Sequence, residues 1–213
     1  MSNVIELDHV TKRYDRFELR DISLPIKEGY ITGLIGPNGA GKTSLIKLMM
    51  GLIYPDQGNI LMFGQNNQQD QAVVKARIGY VSDESFYYEN MTVKQMKSII
   101  APFYPGWNND TYVKFQELFK LPPGKKIKDL SKGMKIKFSL AIALSHGADL
   151  LIMDEPTSGL DPIFFAGRCW NCLVNISRMR RSRFCSRLIT LPIWTGLPTI
   201  LHSLTKDGLF SMR

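Results

Sequence analysis

Gly36-Pro-Asn-Gly-Ala-Gly-Lys-Thr43 decides the fold of this 213-residue chain. The eight residues match G-x-x-x-x-G-K-[ST], and their neighbours give that pattern its meaning. Tyr30-Ile-Thr-Gly-Leu-Ile35, immediately before, is a short apolar run that reads as a buried strand. Ser44-Leu-Ile-Lys-Leu-Met-Met50, immediately after, reads as a helix stopped by Gly51. Strand, glycine-rich turn and helix together make a phosphate-binding unit. The glycines let several backbone N–H groups turn toward phosphate oxygens, and the helix N-terminus adds partial positive charge. Gly36, Pro37, Asn38, Gly39, Ala40, Gly41, Lys42, Thr43 and Ser44 are therefore the candidate phosphate site. Lys42 is expected to reach the β- and γ-phosphates, and the Thr43 hydroxyl to ligate Mg²⁺.

A second carboxylate-bearing strand supports this. Asp149-Leu-Leu-Ile-Met-Asp-Glu155 is an apolar run ending in two acids. A lone acid there would usually mark a solvated turn. Downstream of a phosphate loop the pattern reads instead as a Walker B strand. Asp154 is then expected to hold the Mg²⁺ shell, and Glu155 to polarise the attacking water.

Composition bounds the alternatives. The chain is 44% hydrophobic and 22% charged, which is ordinary for a globular protein. It has no apolar run long enough to span a bilayer. Met1-Ser-Asn-Val-Ile-Glu6 lacks a basic-then-apolar leader layout, which predicts a cytoplasmic chain. Three cysteines do not make a disulfide framework. The net charge of +8 would suggest an anionic partner, but it is unevenly placed. Residues 1–161 hold 19 basic and 18 acidic residues, whereas residues 162–213 hold eight basic residues against Asp207 alone.

Further motifs across residues 1–161 resemble the nucleotide-binding subunits of ABC transporters. Val10-Thr-Lys-Arg-Tyr14 resembles the aromatic loop of that family, which implies that Tyr14 stacks on adenine. Asp21-Ile-Ser-Leu24 resembles the family's second strand. Leu130-Ser-Lys-Gly-Met134 resembles the signature loop, implying that Ser131 and Gly133 contact the γ-phosphate held by a partner subunit. Ser158-Gly-Leu-Asp161 resembles the D-loop. Two motifs depart from the commonest form. Lys132 and Met134 replace the third and fifth signature residues, and Asp83 stands after Gly79-Tyr-Val where the family usually has Gln. Asp83 can still bind magnesium or orient water. Both variants resemble bacterial exporter subunits whose membrane partners are separate chains.

The resemblance implies an α/β fold of the phosphate-loop NTPase type, with an N-terminal antiparallel β subdomain and a helical subdomain over about 86–130. In that segment Met91–Ile100 and Tyr112–Phe119 have helical spacing, punctuated by Pro102, Pro105, Gly106 and Pro122-Pro123-Gly124. Its aromatics Phe86, Tyr87, Tyr88 and Tyr104 fit either a core or a contact surface.

Residues 1–163 read as the cassette, and residues 164–213 do not continue it. The family's switch His in a Ser-Thr-His run is missing, and His9, His146 and His202 lie in no such motif. No clean helix or strand period appears, so the fold is expected to be incomplete at its C-terminus, with sheet edges uncovered. Cys169-x-x-Cys172 lacks the second pair that a zinc site needs. Read one base out of register, the tail recovers the missing pattern. Trp170-Asn171 then forces a Glu, Trp194-Thr195 forces an Asp, and the frame permits Leu-Phe-Ser-Thr-His, with the His codon spanning Leu188 and Ile189. The tail is therefore expected to be out of frame from about residue 164. That also accounts for the absence of Glu after Glu155 and for seven arginines but one lysine in the last quarter.

The resemblance implies a subunit that binds ATP and Mg²⁺ and hydrolyses ATP to drive a transmembrane permease subunit. It implies pairing with a second cassette, identical or not, and a peripheral place at the inner face of the cell membrane. Two alternatives stand beside it. One is an ATP-binding remnant with little turnover, since the switch-His region is lost. The other is a soluble non-transport ABC ATPase, although no nucleic-acid partner is expected.

Overall fold

The computed structural model describes residues 2–37, 39–69, 71–82, 86–154, 186–190, 199–205 and 208–212. It divides into two units, Met1–Lys75 with Cys185–Arg213, and Ala76–Phe184.

The first unit contains the expected antiparallel subdomain. β1 (Asn3–Tyr14) and β2 (Phe17–Lys27) form a long hairpin in register from Tyr14↔Phe17 through Leu7↔Leu24. Ile5, Leu7, Val10, Leu19, Ile22, Leu24 and Ile26 are buried, so one apolar face fixes the pairing. The alternation slips between Leu7 and Lys12. His9 (φ 49°) and Asp21 (φ 50°) lie at this irregularity, and their side chains meet at 2.6 Å between Nδ1 and Oδ1. The Asp21 hydrogen bond and charge raise the His9 pKa. β4 (Gln57–Met62) pairs with β1, and β5 (Gln65–Asn66) with β4, giving the order β2-β1-β4-β5.

β3 (Ile31–Ile35) carries the phosphate loop at its C-terminal end and α1 (Lys42–Met49) follows. Leu45, Ile46, Leu48 and Met49 of α1 are buried, the spacing of one helical face. The tail contributes strands where its sequence shows no clean strand period. β8 (Ser186–Thr190) and β9 (Thr199–Thr205) pair in parallel with β3, and β10 (Gly208–Met212) pairs antiparallel with β9. Gly33 faces Ile189 on one side and Leu201 on the other. β3 is thus paired along both edges. The reason is physical: a parallel strand takes its partners from distant sequence. Arg187-Leu-Ile-Thr190 and Thr199-Ile-Leu201 are too short to announce themselves by period, yet their β-branched residues suit a ladder that β3 offers.

In the second unit β6 (Ile78–Ser82) and β7 (Leu150–Asp154) pair in parallel from Ile78↔Leu150 to Ser82↔Asp154. Arg77 locks the start of this pair. Its Nε donates to Asp149 Oδ2 at 2.7 Å, and the Asp149 amide donates to the Arg77 carbonyl at 2.8 Å. The helices expected over 86–130 are present as α3 (Val93–Ile100) and α4 (Asn109–Leu118), and α5 (Lys132–Ser145) extends the set. A short α2 (Gln71–Ala76) precedes β6. Thr92 and Gln95 form a reciprocal capping box on α3, and Asn108 Oδ1 accepts the Thr111 amide at 2.8 Å on α4. Tyr112, Phe119, Ile127, Ile136 and Phe138 make the core beneath them.

Gly79 sets how closely α5 approaches β6. A β-carbon there would lie 2.8 Å from Ala143 Cβ and 3.0 Å from Leu151 Cδ1. Gly79→Val is expected to destabilise the fold by about 2–3 kcal/mol through overpacking, read as a lowered thermal unfolding midpoint. Tyr112→Phe should do the opposite or nothing, because the buried Tyr112 hydroxyl has no hydrogen-bond partner among the described residues.

Candidate nucleotide site

The phosphate loop is built as its sequence requires. Gly39 (φ 81°) and Gly41 (φ 95°) take the left-handed conformation that disfavours side chains. Gly41 is constrained twice over, since a β-carbon would sit 2.4 Å from Phe17 Cζ and 2.7 Å from Leu19 Cδ2. A β-carbon at Gly39 would meet nothing within 4 Å, so the loop is open on that side. α1 begins immediately after Gly41. It has no side-chain cap and no acid in its first turn. The first amides of a helix lack intrahelical acceptors, so this end suits an anion. Lys42 Nζ donates to the Gly36 carbonyl at 2.7 Å and to the Pro37 carbonyl at 3.1 Å, holding its ammonium across the loop. Thr43 is exposed at the same end, with Ser44 beside it. A left-handed glycine turn, an uncapped helix and a lysine over the loop fit a phosphate group. Asn38 lies outside the described residues.

One contributor to this helix was not anticipated from sequence. Asn67 Nδ2 donates to the Leu48 and Met49 carbonyls at 2.9 and 3.1 Å, and Asn67 is only 3% exposed. It adds a donor to the Leu48 carbonyl, which also accepts the Gly51 amide at 3.0 Å, and supplies one to the Met49 carbonyl at the end of α1. An asparagine in a polar run, Gln65-Asn-Asn-Gln-Gln69, gives no signal that one of them bonds the end of a helix eighteen residues earlier.

Tyr14 ends β1 and is 42% exposed. Its ring lies 6.0 Å from that of Phe17 at an angle of 29°, a stacked pair. A half-exposed ring braced from behind is suited to stack on a planar base.

In the second unit, Asp154 closes β7 and is buried, held opposite Ser82 in the ladder that Arg77 and Asp149 lock. Glu155, Asp83 and the D-loop residues 158–161 lie outside the described residues. Ser131 is the N-cap of α5, its Oγ accepting the Met134 amide at 3.3 Å, and it is exposed. Gly133 lies in the first turn. The aromatics separate cleanly. Tyr87 donates to Ser139 Oγ at 3.0 Å and packs edge-on against Phe138, and burial pushes its phenol up to about 12. Tyr104 stacks on the buried His146 ring at 3.9 Å. Phe86 and Tyr88 are exposed at 78% and 66%. No cluster of three or more His, Cys, Asp or Glu side chains gathers around a metal position among the described residues. Among those residues, no helix is long and apolar enough to cross a membrane.

Strand, left-handed glycine turn and uncapped helix define the first unit as a phosphate-loop nucleotide-binding fold. The family model described as ABC transporter matches residues 19–158, and this chain belongs to that family. It is 35% identical over 166 residues to the bacitracin transport ATP-binding protein BcrA of Enterococcus faecalis, covering 76% of this chain and 54% of BcrA. It is 34% identical over 161 residues to the ABC transporter ATP-binding protein YtrB of Bacillus subtilis (strain 168), covering 75% of this chain and 55% of YtrB. The matched region thus spans about half the length of these curated relatives. Among solved structures, the fold is similar to an ATP binding subunit of an ABC transporter. The TM-score is 0.81 at 22% identity, over 98% of this chain and 90% of the other. It is also similar to cbiO1 from Clostridium perfringens, part of the ABC transporter complex cbiONQ. There the TM-score is 0.77 at 20% identity, over 99% of this chain and 88% of the other.

Replacing Asn67 by Leu removes two hydrogen bonds from the end of the phosphate-loop helix. A loss of about 1–3 kcal/mol is expected by denaturant titration. Asn67→Asp should also destabilise, because its carboxylate would face two carbonyl oxygens.

Proposed function

We propose that this chain binds MgATP at Gly36–Ser44 and hydrolyses it to drive a separate transmembrane permease subunit. The observation that carries this is the uncapped α1 N-terminus behind left-handed Gly39 and Gly41, with the Lys42 ammonium held across the loop. In this reading Tyr14 stacks on adenine, and the loop amides and Lys42 hold the phosphates. Thr43, Asp154 and Asp83 hold magnesium, which neutralises charge on the phosphate oxygens. Glu155 orients water and accepts its proton. Ser131 and Gly133 of one copy face the γ-phosphate held by a second cassette, identical or not. The chain sits peripherally at the inner face of the membrane.

The second reading is an ATP-binding remnant with little turnover. The sequence favours it at one point, since no Ser-Thr-His run occurs. We propose, too, that the tail from about residue 164 is read out of frame. Its Arg-rich, Glu-free composition and the end of the family match at residue 158 support this. Sequencing the source DNA across codons 155–213 tests it: a shifted frame reading through Ser-Thr-His is expected, and its absence would make the tail a genuine extension.

Nucleotide binding and phosphate release separate the functional readings. The wild-type chain is expected to bind a fluorescent ATP analogue, and Lys42→Ala to weaken that binding at least about tenfold while leaving the fold intact. If the chain is a working ATPase, Glu155→Gln keeps binding and loses about 100-fold or more in phosphate release. If it is a remnant, wild type and Glu155→Gln release phosphate equally slowly.

A further inference from the structure

The helical segment carries the surplus charge of the region that matches the family. Residues 86–137 hold ten lysines and four acids, whereas residues 1–75 hold eight basic and eight acidic residues. Sequence spacing scatters these lysines, and the fold gathers four of them. The entry to α3 and the segment after Pro122 are tied by backbone hydrogen bonds. The Val93 amide donates to Lys125 O, and the Lys94 amide to Pro123 O, both at 3.0 Å. The Ile127 amide donates to Met91 O at 2.9 Å, and Thr92 bridges to Lys126. Ile127 is fully buried, so Lys126 and Lys128 project around an apolar anchor. Lys94, Lys125, Lys126 and Lys128 are all exposed, and none is ion-paired among the described residues. The nearby acids are Asp129 and Glu89, and Glu89 lies 3.7 Å from Lys135.

Beside Lys94 runs an open groove of about 560 Å³, whose lining includes Met91, Gln95, Ser98 and Ile99. Ile99 is 38% exposed there. A lysine lining the same groove as Met91 and Ile99, with three more lysines on the segment hydrogen-bonded alongside, matches an anionic amphiphile. A single-stranded polynucleotide would instead call for aromatic or guanidinium stacking surfaces along a basic track, and this groove has neither. A duplex bound through its phosphates would have no use for the groove's exposed Ile99. We propose that this patch seats against the surface of a bilayer containing anionic phospholipid, with the four lysines on headgroup phosphates and Met91 and Ile99 at the acyl boundary. This goes beyond the nucleotide chemistry, and it rests on the transport reading only in needing the chain to work beside a membrane.

Flotation of the full chain with vesicles tests the idea, at about 0.15 M salt, where exposed charges act over about 8 Å. Binding is expected to equimolar phosphatidylglycerol and phosphatidylcholine, and not to phosphatidylcholine alone. Each lysine near an anionic surface is worth roughly a fivefold factor. Replacing Lys94, Lys125, Lys126 and Lys128 together by Gln should therefore lower partitioning by about 100-fold or more. These exposed substitutions should leave the circular dichroism spectrum and lipid-free phosphate release unchanged. Ile99→Asn should weaken vesicle binding further than it weakens binding to a short DNA duplex. Replacing Arg180, Arg181 and Arg183 in the basic tail by Gln should leave partitioning nearly intact. Three outcomes overturn the proposal: equal binding to phosphatidylcholine alone, retained binding in the four-lysine variant, or loss of binding in the tail variant. Tighter binding to the DNA duplex than to vesicles, lost with the same four lysines, also overturns it, in favour of a polynucleotide. Phosphate release is measured without lipid, so a failure here leaves the nucleotide reading to stand or fall by itself.

Discussion

The first unit depends on one constraint, the close approach of the phosphate loop to the hairpin at Gly41. A β-carbon there would have to push aside the ends of the Phe17 and Leu19 side chains, and the backbone is left-handed. Only glycine meets both conditions. From that residue α1 starts without a cap, its apolar face buried and its opposite end held by Asn67. The short helix is thus fixed at both ends, by backbone conformation at one and by side-chain hydrogen bonds at the other. An amide array that must meet phosphate oxygens benefits from this, because a preformed donor set loses little freedom when it binds.

In the second unit the comparable constraint is the register of β6 and β7. The Arg77–Asp149 pair fixes where the ladder begins, and the ladder then fixes Asp154 opposite Ser82. A partly exposed ion pair contributes only modest stability. Here its value lies in geometry, since a slip of one residue would reverse the face on which every side chain of β7 projects. Gly79, against Ala143, lets α5 close over this pair and carries Ser131 and Gly133 at the helix start.

The departures from the family pattern have physical consequences as well. Lys132, standing third in the signature, falls at the first position of α5, where a cation opposes the helix dipole. Ser131 compensates by capping the helix through Met134. The signature serine therefore has a structural task as well as the phosphate contact proposed for it. Hydroxyl oxygens carry two lone pairs and a proton, so the two tasks are compatible.

The sequence by itself determined the parts whose physics is local. The phosphate loop, the strand before it and the helix after it were legible because glycine spacing, apolar runs and helix stops act over a few residues. The same holds for α3 and α4, whose expected spans agree with Val93–Ile100 and Asn109–Leu118 to within a few residues. Tertiary structure alone decided the rest. It separated half-buried Tyr87, bonded to Ser139, from exposed Phe86 and Tyr88, neighbouring aromatics whose fates depend on what packs against them. It placed Asn67 under α1 and drew Lys94 beside Lys125 and Lys126. It also gave β3 partners in β8 and β9, more than 150 residues away, where short runs carry no period of their own. Local chemistry can be read along the chain, whereas a contact between distant segments is set by the space the rest of the fold leaves for it.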